Sequence, residues 1–346
     1  VTFYDTIVLG GGAAGLFCAG HIAQSAKRVL VLEKSDKVGK KILISGGGRC
    51  NFTNIHAGPH NYLSANRHFA KSALARYSPQ DFIDLVEFYG IAYHEKTLGQ
   101  LFCDGSAQQI VAMLLAECAK GDCTVQTSQD IEQILRDDGR FSVTANGQVY
   151  ESARLVIATG GPSIPKMGAS GFAYDLARQF KLKVVEPAPA LVPGPAILQI
   201  SSYWKHGDPV AINFLPDHPK DWLIAAKKSA PRSTIRSTLT QHLPERLATT
   251  LTQRLALEGE LANLPDAKLR MAAERLGRWI FQPNGTEGFA KAEVTAGGIS
   301  TAELSSQTME AKSVPGLYAI GEAVEDGWAA TISNGPGPAR MQRLKP

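Results

Sequence analysis

Three features of the 346-residue sequence predict an α/β protein. An apolar run, Thr6 to Leu9, leads into Gly10-Gly11-Gly12-Ala13-Ala14-Gly15 and a helical stretch, and the next apolar run, Val29 to Leu32, is closed by Glu33. That order of strand, glycine turn, helix and strand begins a Rossmann-type nucleotide-binding domain. Asp138-Gly139 and Asn146-Gly147 separate short alternating runs and predict an antiparallel β-meander. A proline-rich stretch from Glu186 to Pro195 marks a boundary. The expected architecture is a Rossmann-type domain that carries a meander and is interrupted by an inserted mixed β/α domain over 188–283.

The elements follow in chain order. The first helix runs to about Ser25. Phe69, Ala73, Leu74 and Tyr77, then Phe82, Leu85 and Val86, have helical spacing, and Ser78-Pro79 starts a second helix at proline's preferred first-turn position. Ile91 to Phe102 reads as a hairpin around Leu98-Gly99, and Ala107 to Ala119 as an amphipathic helix. The meander strands are Ile131 to Arg136, Phe141 to Ala145 and Gln148 to Glu151. A further apolar strand, Arg154 to Ala158, ends in Thr159-Gly160-Gly161. The insert mixes strands near Ile197 to Leu215 with helices rich in Lys, Arg, Leu and Ala. Strand character returns at Ala292 to Val294 and at Gly316 to Ile320, the latter ending in Gly321-Glu322.

With 44% hydrophobic and 20% charged residues the chain is globular. Its 36 basic and 32 acidic residues give only +4, spread along the sequence, so nucleic acid is not an expected partner. The apolar stretch 6–19 is broken by glycines, too short to span a bilayer and preceded by Asp5, which argues against a membrane anchor or a signal peptide. Five dispersed cysteines, Cys18, Cys50, Cys103, Cys118 and Cys123, fit a reducing cytoplasm. Cys118 and Cys123 have no histidine pair at zinc spacing, so no metal is expected.

The glycine turn has a physical reading. Gly10 permits the tight turn, Gly12 lets the backbone approach a pyrophosphate, and Gly15 lets helix and strand pack closely, while the helix N-terminus offers amides to the anion. Glu33 can accept hydrogen bonds from ribose hydroxyls and repels a 2′-phosphate, so the ligand is NAD or FAD rather than NADP. Three later segments favour FAD: the basic, glycine-rich stretch Lys40 to Asn51, the strand end Ala158-Thr159-Gly160-Gly161, and the strand end Gly321-Glu322. Such a protein is expected to transfer a hydride equivalent between a small organic substrate and flavin, with oxygen or a nicotinamide nucleotide, NADH or NADPH, as the other partner. The alternatives are an NAD-dependent dehydrogenase and an FAD-binding sensing or non-catalytic protein.

Lys41-Ile42-Leu43-Ile44-Ser45-Gly46-Gly47-Gly48-Arg49-Cys50-Asn51-Phe52-Thr53-Asn54 resembles the diagnostic motif of the bacterial aminoacetone oxidase-like flavoproteins, a family that includes bile-acid-inducible members. Gln100-Leu101-Phe102, Pro283-Asn284-Gly285-Thr286 and Gly297-Gly298 extend the likeness over nearly the whole chain. The family belongs to the glutathione reductase-like FAD superfamily. The resemblance implies a discontinuous FAD domain, 1–187 with 284–346, around the insert. It also implies that Gly10, Gly12, Ala13, Ala14, Gly15, Glu33 and Lys34 hold the ADP moiety. Lys41, Gly48, Arg49, Cys50 and Asn51 would approach the pyrophosphate and flavin, and Asp130 and Ile131 would lie against the adenine. Thr159, Gly160, Gly161, Gly321 and Glu322 would complete the cleft.

The sequence departs from that pattern twice. Val192-Pro193 runs directly into Gly194-Pro195-Ala196, where similar proteins carry a further strand-rich stretch, so the insert is expected to be shortened after Pro193. After Val324 the chain reads Glu325-Asp326-Gly327-Trp328-Ala329-Ala330 in place of a turn that opens a helix toward the flavin. Other polar residues have plainer readings. Cys50 lacks the partner cysteine that a redox-active pair requires and reads as a structural thiol. His94, Glu287 and Glu293 read as ordinary surface groups, and Lys227, Lys228, Arg232 and Arg236 as a solvated helix face.

Overall fold

The structure, a computed structural model, describes residues 1–62, 66, 68–96, 98–189, 207–285, 288–290, 292 and 294–325. The junction Pro193-Gly194, the acids Glu287 and Glu293, and the altered stretch from Asp326 onward lie outside the described residues. The chain divides into two compact units, Val1–Tyr203 with Thr286–Pro346, and Trp204–Gly285. The second unit thus starts later than position 188.

In the first unit, β1 (Thr2–Leu9) leads through the glycine turn to α1 (Ala13–Ala23) and β2 (Val29–Leu32). There follow α2 (Lys40–Ile44), β3 (Asn51–Asn54), α3 (Lys71–Arg76) and α4 (Pro79–Phe88). Next come β4 (Tyr93–Glu95), β5 (Gln100–Cys103), α5 (Gln108–Ala119) and β6 (Cys123–Gln126). The meander is β7 (Ile131–Asp137), β8 (Arg140–Ala145) and β9 (Gln148–Ile157). The segment before the second unit holds α6 (Phe172–Gln179) and β10 (Val184–Pro189).

The second unit holds β11 (Val210–Ile212), α7 (Trp222–Ser229), α8 (Ile235–Thr240), α9 (Glu245–Leu255), α10 (Asp266–Gly277) and β12 (Trp279–Phe281). Leu223, Ile235, Leu239, Leu269, Leu276 and Trp279 form its own core. The first unit resumes with β13 (Thr295–Ile299) and β14 (Leu317–Ala319).

The main sheet runs β6-β2-β1-β9-β8-β7, with β14 also on β9. Ile7, Val8, Leu9 and Val29 to Leu32 are buried, as expected of parallel strands covered on both faces. Asp138 and Gly139, and likewise Asn146 and Gly147, all have positive φ, which is what a two-residue type I′ hairpin turn requires.

One expectation is corrected here. Gln148 to Glu151 and Arg154 to Ala158 are not two strands: β9 is continuous from Gln148 to Ile157. One edge pairs in parallel with β1, from Thr2 opposite Tyr150 to Leu9 opposite Ile157. The other edge is shared. Its first half pairs antiparallel with β8, and Leu155 to Ile157 pair in parallel with Leu317 to Ala319. The meander therefore extends the main sheet, and the same strand brings the chain's two ends together. Because β1, β9 and β14 point the same way, Gly10, Thr159 and Gly321 emerge at one edge of the sheet. Ala292 and Val294 likewise lie outside any strand; the strand begins at Thr295.

Candidate functional site

At that edge lies a cavity of about 580 Å³, within the range of small-molecule sites. Gly10, Gly12, Ala13, Ala14, Glu33, Lys41, Asn51, Thr159, Gly160, Gly321 and Glu322 line it, so strand ends far apart in sequence converge there.

The glycine turn is built for a ligand. Gly10 has φ +104°, and a Cβ there would stand 2.6 Å from the Ala158 carbonyl oxygen. A Cβ on Gly15 would stand 1.9 Å from Gly10 O, so α1 and β1 touch backbone to backbone. At Gly12, by contrast, an added Cβ meets nothing within 4 Å. No side chain caps the N-terminus of α1, whose first-turn amides stand beside this open position.

Glu33 closes one end of the turn. Its Oε2 accepts from Gly11 N at 2.7 Å and its Oε1 from Ser35 N at 2.7 Å. A carboxylate has about four acceptor positions, so capacity for sugar hydroxyls remains. Thr159 Oγ1 is buried beside the cavity with no partner among the described residues, which fits a polar ligand group.

The opposite wall is a polar cluster. Lys41 Nζ donates to Glu322 Oε2 at 2.8 Å and to Ser163 Oγ at 2.7 Å, and Ser163 Oγ donates to Glu322 Oε1 at 2.7 Å. Thr295 N also donates to Glu322 Oε1, at 2.9 Å. The Glu322 side chain is only 10% exposed, so its charge is held by these donors. Gly39 in the left-handed region turns the chain into α2, which places Lys41 on this wall. The Ser45–Gly48 turn follows, with Gly46, Gly47 and Gly48 all at positive φ. Gly46 packs on Phe102, while Gly47 is open on its Cβ side.

Several expected residues stand elsewhere. Gly48, Arg49 and Cys50 are not among the residues that line the cavity. Gly48 O accepts from Ala107 N, and Arg49 O from Cys103 N. Arg49 is exposed, and Cys50 is buried with its thiol pushed up to about 12 by desolvation, which makes it an inert packing group. Gly161 packs against Thr295 and Tyr174. Lys34 and Asp130 form an exposed ion pair at 3.3 Å, and Ile131 pairs with Ala145 in the meander. Residues 128–130 are nevertheless tied beside Glu33 and Ser35, through Ser128 N to Ser35 O and Gln129 N to Glu33 O.

Ser163, Gln100, Phe102, Ile164 and Met167 were not anticipated at the site. Gln100 and Phe102 line it through pairing of β5 with β3, a long-range event. His94 Nδ1 lies 2.6 Å from Asp104 Oδ1, an exposed pair. Among the described residues no group of three metal-ligating side chains occurs, and no helix is long and apolar enough to cross a membrane.

The parallel sheet, the glycine turn with its acid at the end of the next strand, and the second set of strand ends define an FAD-binding Rossmann protein. The chain belongs to the HI0933-like family: the HI0933-like protein Rossmann domain matches residues 4–330.

It is 44% identical over 378 residues, covering 94% of this chain and 93% of the relative, to a protein of Escherichia coli (strain K12) named ribosomal RNA dihydrouridine synthase. A protein of the same name from Haemophilus influenzae is 39% identical, covering 94% of each chain. The 3-dehydro-bile acid delta(4,6)-reductase of Clostridium scindens is 26% identical, covering 92% of each. The first match is longer than the 346 residues of this chain, so the relative carries residues without counterpart here.

In fold the chain is similar to a 3-ketosteroid-delta4-(5alpha)-dehydrogenase from Rhodococcus jostii, with TM-score 0.54, 13% identity and coverage of 98% of this chain and 96% of that one. It is also similar to the E. coli quinol fumarate reductase FrdA, with TM-score 0.51, 15% identity and coverage of 98% and 68%.

Proposed function

We propose that this protein is an FAD-dependent reductase that saturates a carbon–carbon double bond conjugated to a carbonyl, and that its substrate is a uracil base in ribosomal RNA. The observation that carries this reading is the near full-length identity, 44% and 39%, to two proteins named for dihydrouridine formation in ribosomal RNA. The more distant relative is named for reducing a bile-acid double bond next to a ketone. Both names describe one chemistry: a hydride adds to the carbon β to the carbonyl and a proton to the α carbon. Aminoacetone oxidation, which the resemblance of the glycine-rich motif raises, has no counterpart in these three names. The proposal sets aside the expectation, drawn from the even charge balance, that nucleic acid is no partner.

The residues divide the task. The amides at the start of α1 would receive the pyrophosphate over the open face of Gly12, and Glu33 would take the ribose hydroxyls. Reduced FAD bound there would supply the hydride, with a nicotinamide nucleotide as the outside reductant. Lys41 has a third N–H beyond those given to Ser163 and Glu322, and it would place a positive charge where reduction adds electrons. Glu322 and Ser163 fix that ammonium in position.

The test is to incubate FAD-loaded protein and NADH or NADPH with ribosomal RNA transcribed in vitro, then digest the RNA and weigh its nucleosides. The reading requires one uridine to gain two hydrogens. Unchanged uridine with both nucleotides counts against it.

A further inference from the structure

The net charge is unevenly placed. The unit Trp204–Gly285 contains twelve Lys and Arg against eight Asp and Glu, so it carries the whole +4 of the chain, and the larger unit is balanced. The excess gathers on one part of its surface. Helix α7 ends on Lys227 and Lys228, and exposed Arg232 follows in the next loop. That loop is laid against residues 261–264, with Ala262 N donating to Pro231 O at 2.9 Å and Leu261 N to Ser233 O at 2.7 Å. Helix α10 begins just beyond and presents Lys268 and Arg270 to solvent.

Acids are present here too: Glu274 follows Arg270 by one turn on α10. Glu260 bridges to Thr234, and Asp266 Oδ1 accepts from Lys227 Nζ at 2.9 Å. The Asp266 carboxyl is held below its ordinary range by the Lys227 hydrogen bond first, with Arg270 and Lys228 adding to it, so three cations surround one carboxylate. Lys227 is engaged, since it also donates to Leu264 O at 2.7 Å, and elsewhere in the unit Arg236 is paired with Glu245 at 2.7 Å. Among the described residues no carboxylate lies within ion-pair distance of Lys228, Arg232, Lys268 or Arg270. A solvated helix face in a balanced protein pairs such charges or alternates their sign; this one collects them at the meeting of α7, the 231–233 loop and α10.

We infer that this face of the Trp204–Gly285 unit is a docking surface for the phosphate backbone of an RNA substrate, with Lys228, Arg232 and Arg270 as its phosphate contacts. The inference rests on the uracil-reductase reading, and charge complementarity argues it: unpaired cations clustered on an otherwise neutral protein are the footprint of a polyanion. Backbone contacts of this kind position the nucleic acid without reading its sequence, which leaves selection of the base to the cavity of the FAD-binding unit.

The test uses full-length, FAD-loaded protein carrying Lys228→Gln, Arg232→Gln and Arg270→Gln together. A second variant conserves charge, with Lys228→Arg, Arg232→Lys and Arg270→Lys. Binding to ribosomal RNA transcribed in vitro is measured by filter retention over a series of KCl concentrations, and dihydrouridine formation is followed at low and saturating RNA.

The neutral variant should bind about tenfold or more weakly, with a slope of log affinity against log salt shallower by roughly 2 to 3. Its KM for RNA should rise by a similar factor, while kcat and the visible flavin spectrum stay as in the wild type. The charge-conserving variant should keep the wild-type slope. An unchanged slope and KM in the neutral variant, with wild type forming dihydrouridine, overturns the docking surface and leaves the proposed function standing. Equal loss in both variants overturns charge as the cause. A wild type that forms no dihydrouridine in the RNA removes the proposed function, and the docking surface with it.

Discussion

Lys41 and Glu322, 281 positions apart in the chain, meet at 2.8 Å on the wall of the cavity that the strand ends form. One arrives from the first βαβ unit and the other from the end of β14, so their contact records the closure of a domain built from both ends of the chain. Ser163 joins them from the end of β9. The cluster thus unites the three segments that frame the site.

Removing one member should be felt. Lys41→Met takes the ammonium from the nearly buried Glu322 carboxylate, to which Ser163 and the Thr295 amide still donate. Because the Lys41 side chain is 37% exposed, solvent screens part of the loss, and about 1–2 kcal/mol of stability is expected to go. Urea unfolding measures that. If Lys41 faces the flavin as proposed, the FAD-loaded variant should also lose reductase turnover, with KM for RNA little changed.

Two glycines of one turn should respond oppositely. Gly12→Ala places a methyl in open space at φ −81°, so the protein should fold normally and bind FAD more weakly by about tenfold or more. Gly15→Ala drives a methyl into the Gly10 carbonyl, so folding itself should suffer by about 3 kcal/mol or more. Flavin content by visible absorbance, set beside the thermal midpoint of the apoprotein, separates the two.

Acid should find Glu117. Burial pushes its carboxyl up, but hydrogen bonds from Lys120, Tyr89 and Gln24 more than offset this and leave it below its ordinary value of 4.5. A carboxyl that is lower in the folded than in the unfolded state adds stability above its unfolded value, and that stability is lost as pH falls through the folded value. Glu117→Gln should therefore be less stable than wild type by about 1–2 kcal/mol at neutral pH. The gap should narrow as pH drops below about 4.5. Denaturant titrations at neutral and acid pH give both numbers.

The second core should loosen by itself. Leu269→Ala removes a fully buried side chain that packs with Leu239, Leu276 and Trp279, at a cost of about 2–5 kcal/mol. Hydrogen exchange should rise across 207–285 while bound flavin is retained, since the main-sheet core contains none of these residues.

Much of the frame was legible because its signals are local. The strand over Thr6 to Leu9, the turn at Gly10 to Gly15 and the acid at Glu33 are set by backbone sterics within one βαβ unit. The turns at Asp138-Gly139 and Asn146-Gly147 follow from residues that tolerate positive φ. What escaped depends on distant pairing. Nothing between Gln148 and Ile157 signals that one strand serves β8 with one half and β14 with the other. Ser163 gave no local sign of reaching Lys41 and Glu322. That the carbonyls of Gly48 and Arg49 accept from Ala107 and Cys103 was not legible either, because a glycine-rich motif does not reveal which of its peptide groups a neighbouring strand and helix engage.

The proposed function requires that reducing equivalents held in this cavity pass to uracil in ribosomal RNA. The most direct measurement starts with FAD-loaded protein reduced by dithionite under argon and freed of excess reductant, to which ribosomal RNA transcribed in vitro is added. The visible flavin band should return and dihydrouridine should appear in the RNA in equal amount. A flavin that stays bleached with RNA present, and regains its colour only when air is admitted, would contradict it.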